Sequence, residues 1–449
     1  MADTLALVPP RPSAARQILS LAGPTALSAF LQAAGQVAET WLAARQGTTA
    51  LAGWSVVLPF ALLMQQMSAG AMGGGVSSAI ARALGAGRRE EASALVLHAV
   101  LIAMLAGAGF AILLAGFPRP VLGLIGGAAA AEAAASYAIL LFGLGAIPVW
   151  LANTLASVLR GGGQHGLAAR VLLLTWLAYP LLAWALAEPA GMGLPGIGAA
   201  LAAVFIGASL VMGWAVLQGR AGFQPTLRLR PSRTMFWRIL SVGLVACALA
   251  GVANLTTILV TARIASHGPA AVAGYGISAR LEFLMIPIAF GVGSALTALV
   301  GRAVGAGDWD GARRLAWTGG LMALGVTGAI GLSVAMAPRA FADFFSSDPA
   351  VVDIAARALS FTGPAFGGFG LGMALYFASQ GAGRMGWPML AGLSRIGIAV
   401  LGGWVLSDLV GLGLDGQFLA VALGITAYGL VTAAGVRRGV WSRPDERAG

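Results

Sequence analysis

ARALGAGRREEA at 81–92 recurs 220 residues later as GRAVGAGDWDGA at 301–312. LRGGGQHG at 159–166 returns at the same offset as SQGAGRMG at 379–386, and LAGW at 51–54 returns as VAGY at 272–275, one residue further on. Two separate motifs at one offset mark an internal repeat of the whole chain. Working outward from them, the apolar runs fall near 17–43, 50–82, 92–116, 133–160, 166–187 and 195–218 in the first copy. In the second they fall near 236–266, 270–303, 312–337, 351–380, 386–407 and 417–436. Each is long enough to cross a bilayer, which takes roughly 20 apolar residues. The chain has 449 residues, of which 58% are hydrophobic and only 10% charged, against about 25% charged in a soluble domain. Its mean hydropathy is +0.86. These values exclude an ordinary soluble enzyme, a disordered chain and a nucleic-acid module. The expected fold is all-α: a polytopic membrane protein with twelve transmembrane helices in two pseudo-symmetric six-helix bundles. An even number of spans per copy returns the chain to the side it started from. The copies should therefore be related by an axis along the membrane normal, as in one class of secondary transporters.

The sequence divides accordingly into a tail 1–16, an N-lobe 17–218, a linker 219–235, a C-lobe 236–436 and a tail 437–449. The linker is the longest hydrophilic stretch between apolar runs. Charge orients the chain. The net charge is +11, and all 27 basic residues are Arg. With the N-terminus in the cytoplasm, 21 of the 27 fall on the cytoplasmic side, Arg395 among them. Arg45, Arg119, Arg263, Arg339 and Arg357 are left outside, and Arg280 within a span. This split places both termini in the cytoplasm of a cell (bacterial inner) membrane and accounts for the basicity without nucleic acid. Cys247 is the single cysteine, and His98, His165 and His267 are scattered, so no metal site is expected. Met1 to Gln17 is polar with three Pro, and no cleaved signal is read there. The Gly-rich turns lack a Walker Lys and a preceding strand. No catalytic set is apparent, so neither a cofactor nor an enzymatic activity is expected.

GPTALSAFLQAAGQVAETWLAARQGTTALAG at 23–53, the GAG turns at 85–87 and 305–307, RGGG at 160–163, QGAG at 380–383 and GLPGIGAALA at 193–202 appear in an ordered set. Together they resemble the multidrug and toxic compound extrusion (MATE) family, within the multidrug, oligosaccharidyl-lipid and polysaccharide flippases. The likeness runs from about 17 to 436. It implies two six-helix bundles around a central cleft, and export of organic cations and other amphiphiles in exchange for protons or sodium.

Glu39 is the leading candidate for the coupling ion. It lies near the outer end of the first span, where a charge is costly in lipid. Ser28, Gln32, Gln36, Glu39 and Thr40 fall on one helix face, and such a stripe should face protein or a wet cavity. Ala, Val and Trp41 are its expected surroundings. The bland alternative is a snorkelling Glu paired with Arg45. The family usually has Asp at this position. Pro24 removes a hydrogen bond within the same helix and allows a kink. Arg280 and Glu282 lie two residues apart in the eighth span, about 200° around the helix, so each needs its own partner. They are read either as a structural network or as part of the cavity, with Glu282 as a second coupling candidate. Asn254, Thr257 and Thr261 share a face of the seventh span. Some family members carry Glu near Asn254, and others Asn and Asp where Thr175 and Tyr179 stand; these departures favour a proton over sodium, since a hard cation wants several oxygen ligands. Asn153, Thr154 and Ser157 either line the cavity or bond helices together.

The expected function is a secondary active antiporter, a monomer in the lipid bilayer, that exports lipophilic, cationic compounds by alternating access between the lobes. The proton is favoured over sodium as its coupling ion. A flippase for lipid-linked sugars on the same fold is the alternative, with Arg280 and Arg263 as the available cations. A channel or a membrane scaffold is the alternative of another class. A channel wants a ring of equivalent polar residues, whereas the repeat sets Glu39 against Leu259 or Val260.

Overall fold

The computed structural model describes residues 13–226, 230–437 and 441. Most of the two expected tails, and Arg11, Arg228, Arg438, Arg443 and Arg447, lie outside the described residues; the linker is described on either side of 227–229. Among the described residues, twelve helices are long and apolar enough to cross a membrane. The first six are α1 (Ala14–Arg45), α2 (Thr48–Gly85), α3 (Arg89–Leu114), α4 (Pro118–Gly161), α5 (His165–Ala187) and α6 (Leu194–Leu217). The second six are α7 (Arg233–Ala265), α8 (Pro269–Gly305), α9 (Trp309–Met336), α10 (Pro349–Ala382), α11 (Gly386–Leu409) and α12 (Gly413–Arg437). No strand occurs among the described residues.

Local chemistry sets the ends. Ser13 accepts from the backbone N–H of Arg16, Asp308 from Gly311 and Asp348 from Ala350, so α1, α9 and α10 start on capped orphan donors. Tight turns follow α2 and α8 at Gly87 and Gly307 (φ 74° and 78°), and α4 and α10 at Gly163 and Gly383 (φ 88° and 70°). Only Gly takes this backbone without strain, so the 220-residue repeat extends to the dihedral angles of its joints.

The structure adds a part of the repeat that the apolar runs miss. Gly127 (φ 75°, ψ 173°) breaks α4, so a short helix from Pro118 precedes the span proper. The helix Pro338–Phe345 stands at the same place before α10. Ion pairs repeat with them: Arg119 with Glu132 (2.5 Å) matches Arg339 with Asp353. Arg45 with Glu188 (2.5 Å) matches Arg263 with Asp408 (2.7 Å). One arginine is misplaced by the loop-based orientation: Arg395 lies within α11 and pairs with Glu282 of α8.

Within the first bundle α1 packs on α5, α2 and α3 on α4, and α4 and α5 on α6; in the second, α9 and α12 pack on α10 and α11 on α12. Small residues allow the close approaches. A Cβ at Gly53 would stand 2.9 Å from the backbone of Ala133. The bundles meet in the halves of their helices nearest the face where α1 begins and α12 ends, here the terminal face. There α1 packs on the second half of α8, α7 on the second half of α2, and the ends of α2 and α8 cross. At the crossing, Gly85 lies against the Arg302 carbonyl and Gly305 against the Arg82 carbonyl. The connection from α6 to α7 is docked on α3: the Ser232 N–H donates to His98 Nε2 (2.8 Å), and Arg238 pairs with Glu91. Leu105, Ile112, Leu124, Leu181 and Leu210 stand exposed around the outside, an apolar surface suited to acyl chains.

Candidate functional site

Glu39 is 7% exposed, near the far end of α1. Its Oε1 accepts from Trp54 Nε1 of α2 (2.9 Å) and from Tyr137 Oη of α4 (2.7 Å). Trp176 and Tyr179 of α5 close the pocket one turn below; their rings fit because position 35 is Gly, where a Cβ would stand 3.0 Å from Trp176. The pocket thus draws on four helices of one bundle. Tyr179 Oη is buried without a hydrogen-bond partner and lies within electrostatic reach of Glu39.

No cation reaches this carboxylate among the described residues. Arg45 is committed to Glu188 and, by hydrogen bonding, holds that carboxyl below the usual carboxylate range; it also lies over the Trp41 ring. The pairing of Glu39 with Arg45 is therefore absent. Two expectations about the surroundings are corrected. Trp41 is 56% exposed, since two residues place it about 200° around the helix from Glu39, and the following helix supplies Trp54 instead. Thr40 is exposed and donates to its own helix at the Gln36 carbonyl (2.9 Å), so the polar stripe ends at Glu39. Gln32 and Gln36 are half-buried and Ser28 is buried. α1 runs as one helix through Pro24.

Chemically, the two partners of Glu39 differ. An indole N–H only donates, whereas a phenol hydroxyl both donates and accepts. Tyr137 can therefore donate to the carboxylate and accept from the carboxylic acid, and both protonation states keep a partner.

The second bundle holds its acid differently. Glu282 accepts from Arg395 of α11, and both are largely buried. Arg280 is exposed, with no carboxylate in ion-pair reach among the described residues. Helical spacing places it on the stripe of α8 that also carries Phe290, Gly291 and Ser294, which meet the first bundle nearer the terminal face. Asn254 donates across the interface to Gln66 of α2 (3.1 Å) and to its own helix at Ala250 (2.8 Å). Thr257 donates to its own helix at Ala253. Asn153 is fully inside the first bundle, donating to Gln65 (3.2 Å) and Ser68 (2.8 Å) of α2, where α2 widens into a π-helical turn over Met67–Met72. It joins α4 to α2 and does not face the space between bundles.

Three features at the terminal end of that space escape the reading of the sequence. A small void, with room for about one water, is lined by α2 and α4 of one bundle and α8 and α10 of the other, with Arg160 among its lining residues. Arg82 reaches across to donate to the Gln380 and Gly381 carbonyls at the end of α10 (3.2 and 3.0 Å). The Arg302 guanidinium lies against Gly163, at the repeat-related end of α4, by packing alone, with its Nε buried and unpartnered. The one signal for them was the repeat itself, which pairs 82 with 302 and 160 with 380.

Known proteins agree with this architecture. The MatE family model matches twice, at residues 24–185 and 244–405, once in each half. The protein described as "Probable multidrug resistance protein NorM" from Deinococcus radiodurans is 30% identical over 452 residues, covering 92% of this chain and 93% of that one. Among solved structures, a MATE protein in the bent conformation is similar at TM-score 0.90 and 21% identity, covering 98% of both chains. A MATE protein in the straight conformation is similar at 0.88 and 22%, covering 95% and 96%. With a family model in each half and a relative aligned over nearly its full length, this protein belongs to the MATE family of multidrug transporters.

Proposed function

We propose that the protein is a secondary active antiporter that exports lipophilic compounds, cations among them, in exchange for protons. The observation that carries this reading is Glu39: a buried carboxylate in a membrane helix, held by neutral donors alone, one of which suits either protonation state. An acid in such a place is functional by default. A single carboxylate fits a proton better than sodium, which wants several oxygen ligands. The arginine-rich terminal face is the cytoplasmic side of the inner membrane, with the lobes at 17–218 and 236–436 and the linker between them. The bundles are joined in their cytoplasmic halves, so the cleft opens outward in this state, and alternating access requires that joint to part. Pro24 is the hinge of α1, because it removes a backbone donor from within that helix. Glu282, bound to Arg395, is a brace of the second lobe rather than a second coupling site. Gln32 and Gln36 line the path to Glu39. Asn254 and Arg280 line the cleft, and the protein works as a monomer.

The test is efflux of a fluorescent lipophilic cation from everted vesicles, with the proton and sodium gradients collapsed separately. Proton collapse should stop efflux, sodium collapse should not, and Glu39→Gln should be inactive though folded. Undiminished gradient-driven efflux in that variant refutes the coupling role. The flippase alternative retains Arg280 but loses Arg263, which Asp408 occupies.

A further inference from the structure

His98 is 1% exposed, on α3 near the terminal face. Both ring nitrogens have partners, and the partners fix its state. Nδ1 lies 2.8 Å from the Ala94 carbonyl, which can only accept, so Nδ1 carries a hydrogen. Nε2 lies 2.8 Å from the Ser232 backbone nitrogen, which can only donate, so Nε2 carries none. The imidazole is therefore neutral wherever Ser232 is docked on it. A second proton would set two N–H groups face to face in a buried place and leave both unsatisfied.

What His98 holds is the start of the second bundle. Ser232 precedes α7, yet its side chain caps nothing, and its N–H is spent on the imidazole. Phe236, in the first turn of α7, stands edge-on to the ring at 4.8 Å. Arg238 of α7 pairs with Glu91, seven residues before His98 on the same stripe of α3. Thr226, earlier in the linker, donates to the Ser93 carbonyl (3.4 Å). One flank of the joint between the bundles is thus fastened to α3, and His98 is the member of that attachment able to change its charge near neutral pH. The repeat-related residue is Thr318, which donates to its own helix at the Arg314 carbonyl (2.8 Å). The neighbouring charges leave a protonated imidazole without a free acid. On α3, Glu91 is shared by Arg88 (3.2 Å) and Arg238, and Arg89 and Glu90 are exposed. Arg230 of the linker and Arg233 of α7 are exposed as well. α2 brings Arg82, spent on carbonyls of α10. α4 brings Arg160, buried over the Phe290 ring (5.6 Å) with no carboxylate in ion-pair distance among the described residues.

We propose that His98 is a second proton site, set in the joint between the bundles: the joint closes on the neutral imidazole, and proton uptake there releases the linker and the start of α7. An imidazole in water takes its proton at about pH 6.5, so closure is favoured above that pH and opening below it. By linkage, each closure expels the proton. The consequence for transport rests on the antiport reading; the proton site itself does not. On that reading, protons imported into the cytoplasm hold the joint open and slow the return to the outward-open state, a brake separate from Glu39.

The test is the distance between spin labels at Arg170→Cys on α5 and Arg314→Cys on α9, in the full chain carrying Cys247→Ala and Glu39→Gln. It is followed in detergent from about pH 8 to about pH 5.5, on either side of the imidazole range. The ratio of long to short distances should rise about tenfold across that span, as a site that excludes closure when protonated requires. His98→Gln, whose side-chain carbonyl can accept from Ser232 but cannot take a proton, should stay at the short distance throughout. A parent that does not respond to pH, or a His98→Gln variant that responds as the parent does, overturns the proposal. If His98→Gln does not fold, hydrogen exchange at the Ser232 amide of the wild type carries the test. Protection, corrected for the intrinsic pH dependence of exchange, should fall about tenfold over the same span, and protection that persists at the acid end overturns the proposal. Wild-type vesicles without gradient-driven efflux would refute the antiport reading and leave the proton site standing.

Discussion

The two bundles are built alike and differ at the place where the first holds its buried acid. In the first, α1 brings Glu39 against Trp54 and Tyr137. At the repeat-related positions the second has Leu259 or Val260, Tyr275 and Arg357. Val260 and Tyr275 are buried in an apolar cluster, the Tyr275 ring stacks on Phe418 at 6.2 Å, and Arg357 pairs with Asp415. One copy thus keeps a carboxylate served by groups that can follow its proton. The other fills the same space with hydrocarbon and a surface ion pair. Its own buried acid, Glu282, is held by a guanidinium that cannot accept a hydrogen bond from a protonated partner. The duplication supplies two scaffolds; on the proposed reading, the site chemistry makes one a proton-handling lobe and the other a rigid counterpart.

The largest effect that would break this contrast is at the two acids. Glu39→Gln should lose all gradient-driven efflux with little change in melting temperature. Glu282→Gln should keep gradient dependence but weaken the hold on Arg395, destabilising the fold by about 1.5–3 kcal/mol, read as a lower melting temperature in detergent. The swap Glu282→Arg with Arg395→Glu should recover much of that loss. If Glu282→Gln abolished proton dependence while Glu39→Gln did not, the roles of the lobes would be reversed. Next is Tyr137→Phe, which leaves the protonated acid without its acceptor. One hydrogen bond of about 1–1.5 kcal/mol corresponds to about a tenfold slower efflux at unchanged stability. Smaller still, Arg82→Gln removes two hydrogen bonds across the terminal joint and should loosen it by about 1 kcal/mol. Spectroscopic distances between labels on α2 and α8 should report more of the cytoplasm-open state, and less of a change in Arg302→Gln, where only packing is lost. Equal shifts would show that the joint is as symmetric as its glycines. Smallest of all, Arg119→Gln and Arg339→Gln remove exposed ion pairs and should leave melting temperature and efflux unchanged.

Much of the architecture was legible because lipid imposes it. Twelve apolar runs, the 220-residue offset and Gly87 with Gly307 follow from span length and backbone handedness, which leave local marks. Glu39 was legible for the same reason, since an acid is conspicuous among apolar residues. Its partners were not. Trp54 was visible in LAGW, opposite the tyrosine of VAGY, but nothing in sequence order tells that its indole, rather than that of adjacent Trp41, reaches the carboxylate. Arg395 reads as a loop residue by charge counting and proves to be internal because an acid on another helix answers it. Arg160 reads as one more positive-inside residue; only the depth of its burial and the missing carboxylate set it apart. These are facts about neighbours far apart in the chain, and no local pattern encodes them.

The reach of Arg82 has a mechanical consequence. It belongs to one bundle and is bonded to two carbonyls at a helix end of the other, so those bonds must break before the bundles part there. Arg302 only packs at the matching place, so the two sides of the joint resist opening by different means: a latch on one flank, close fit on the other.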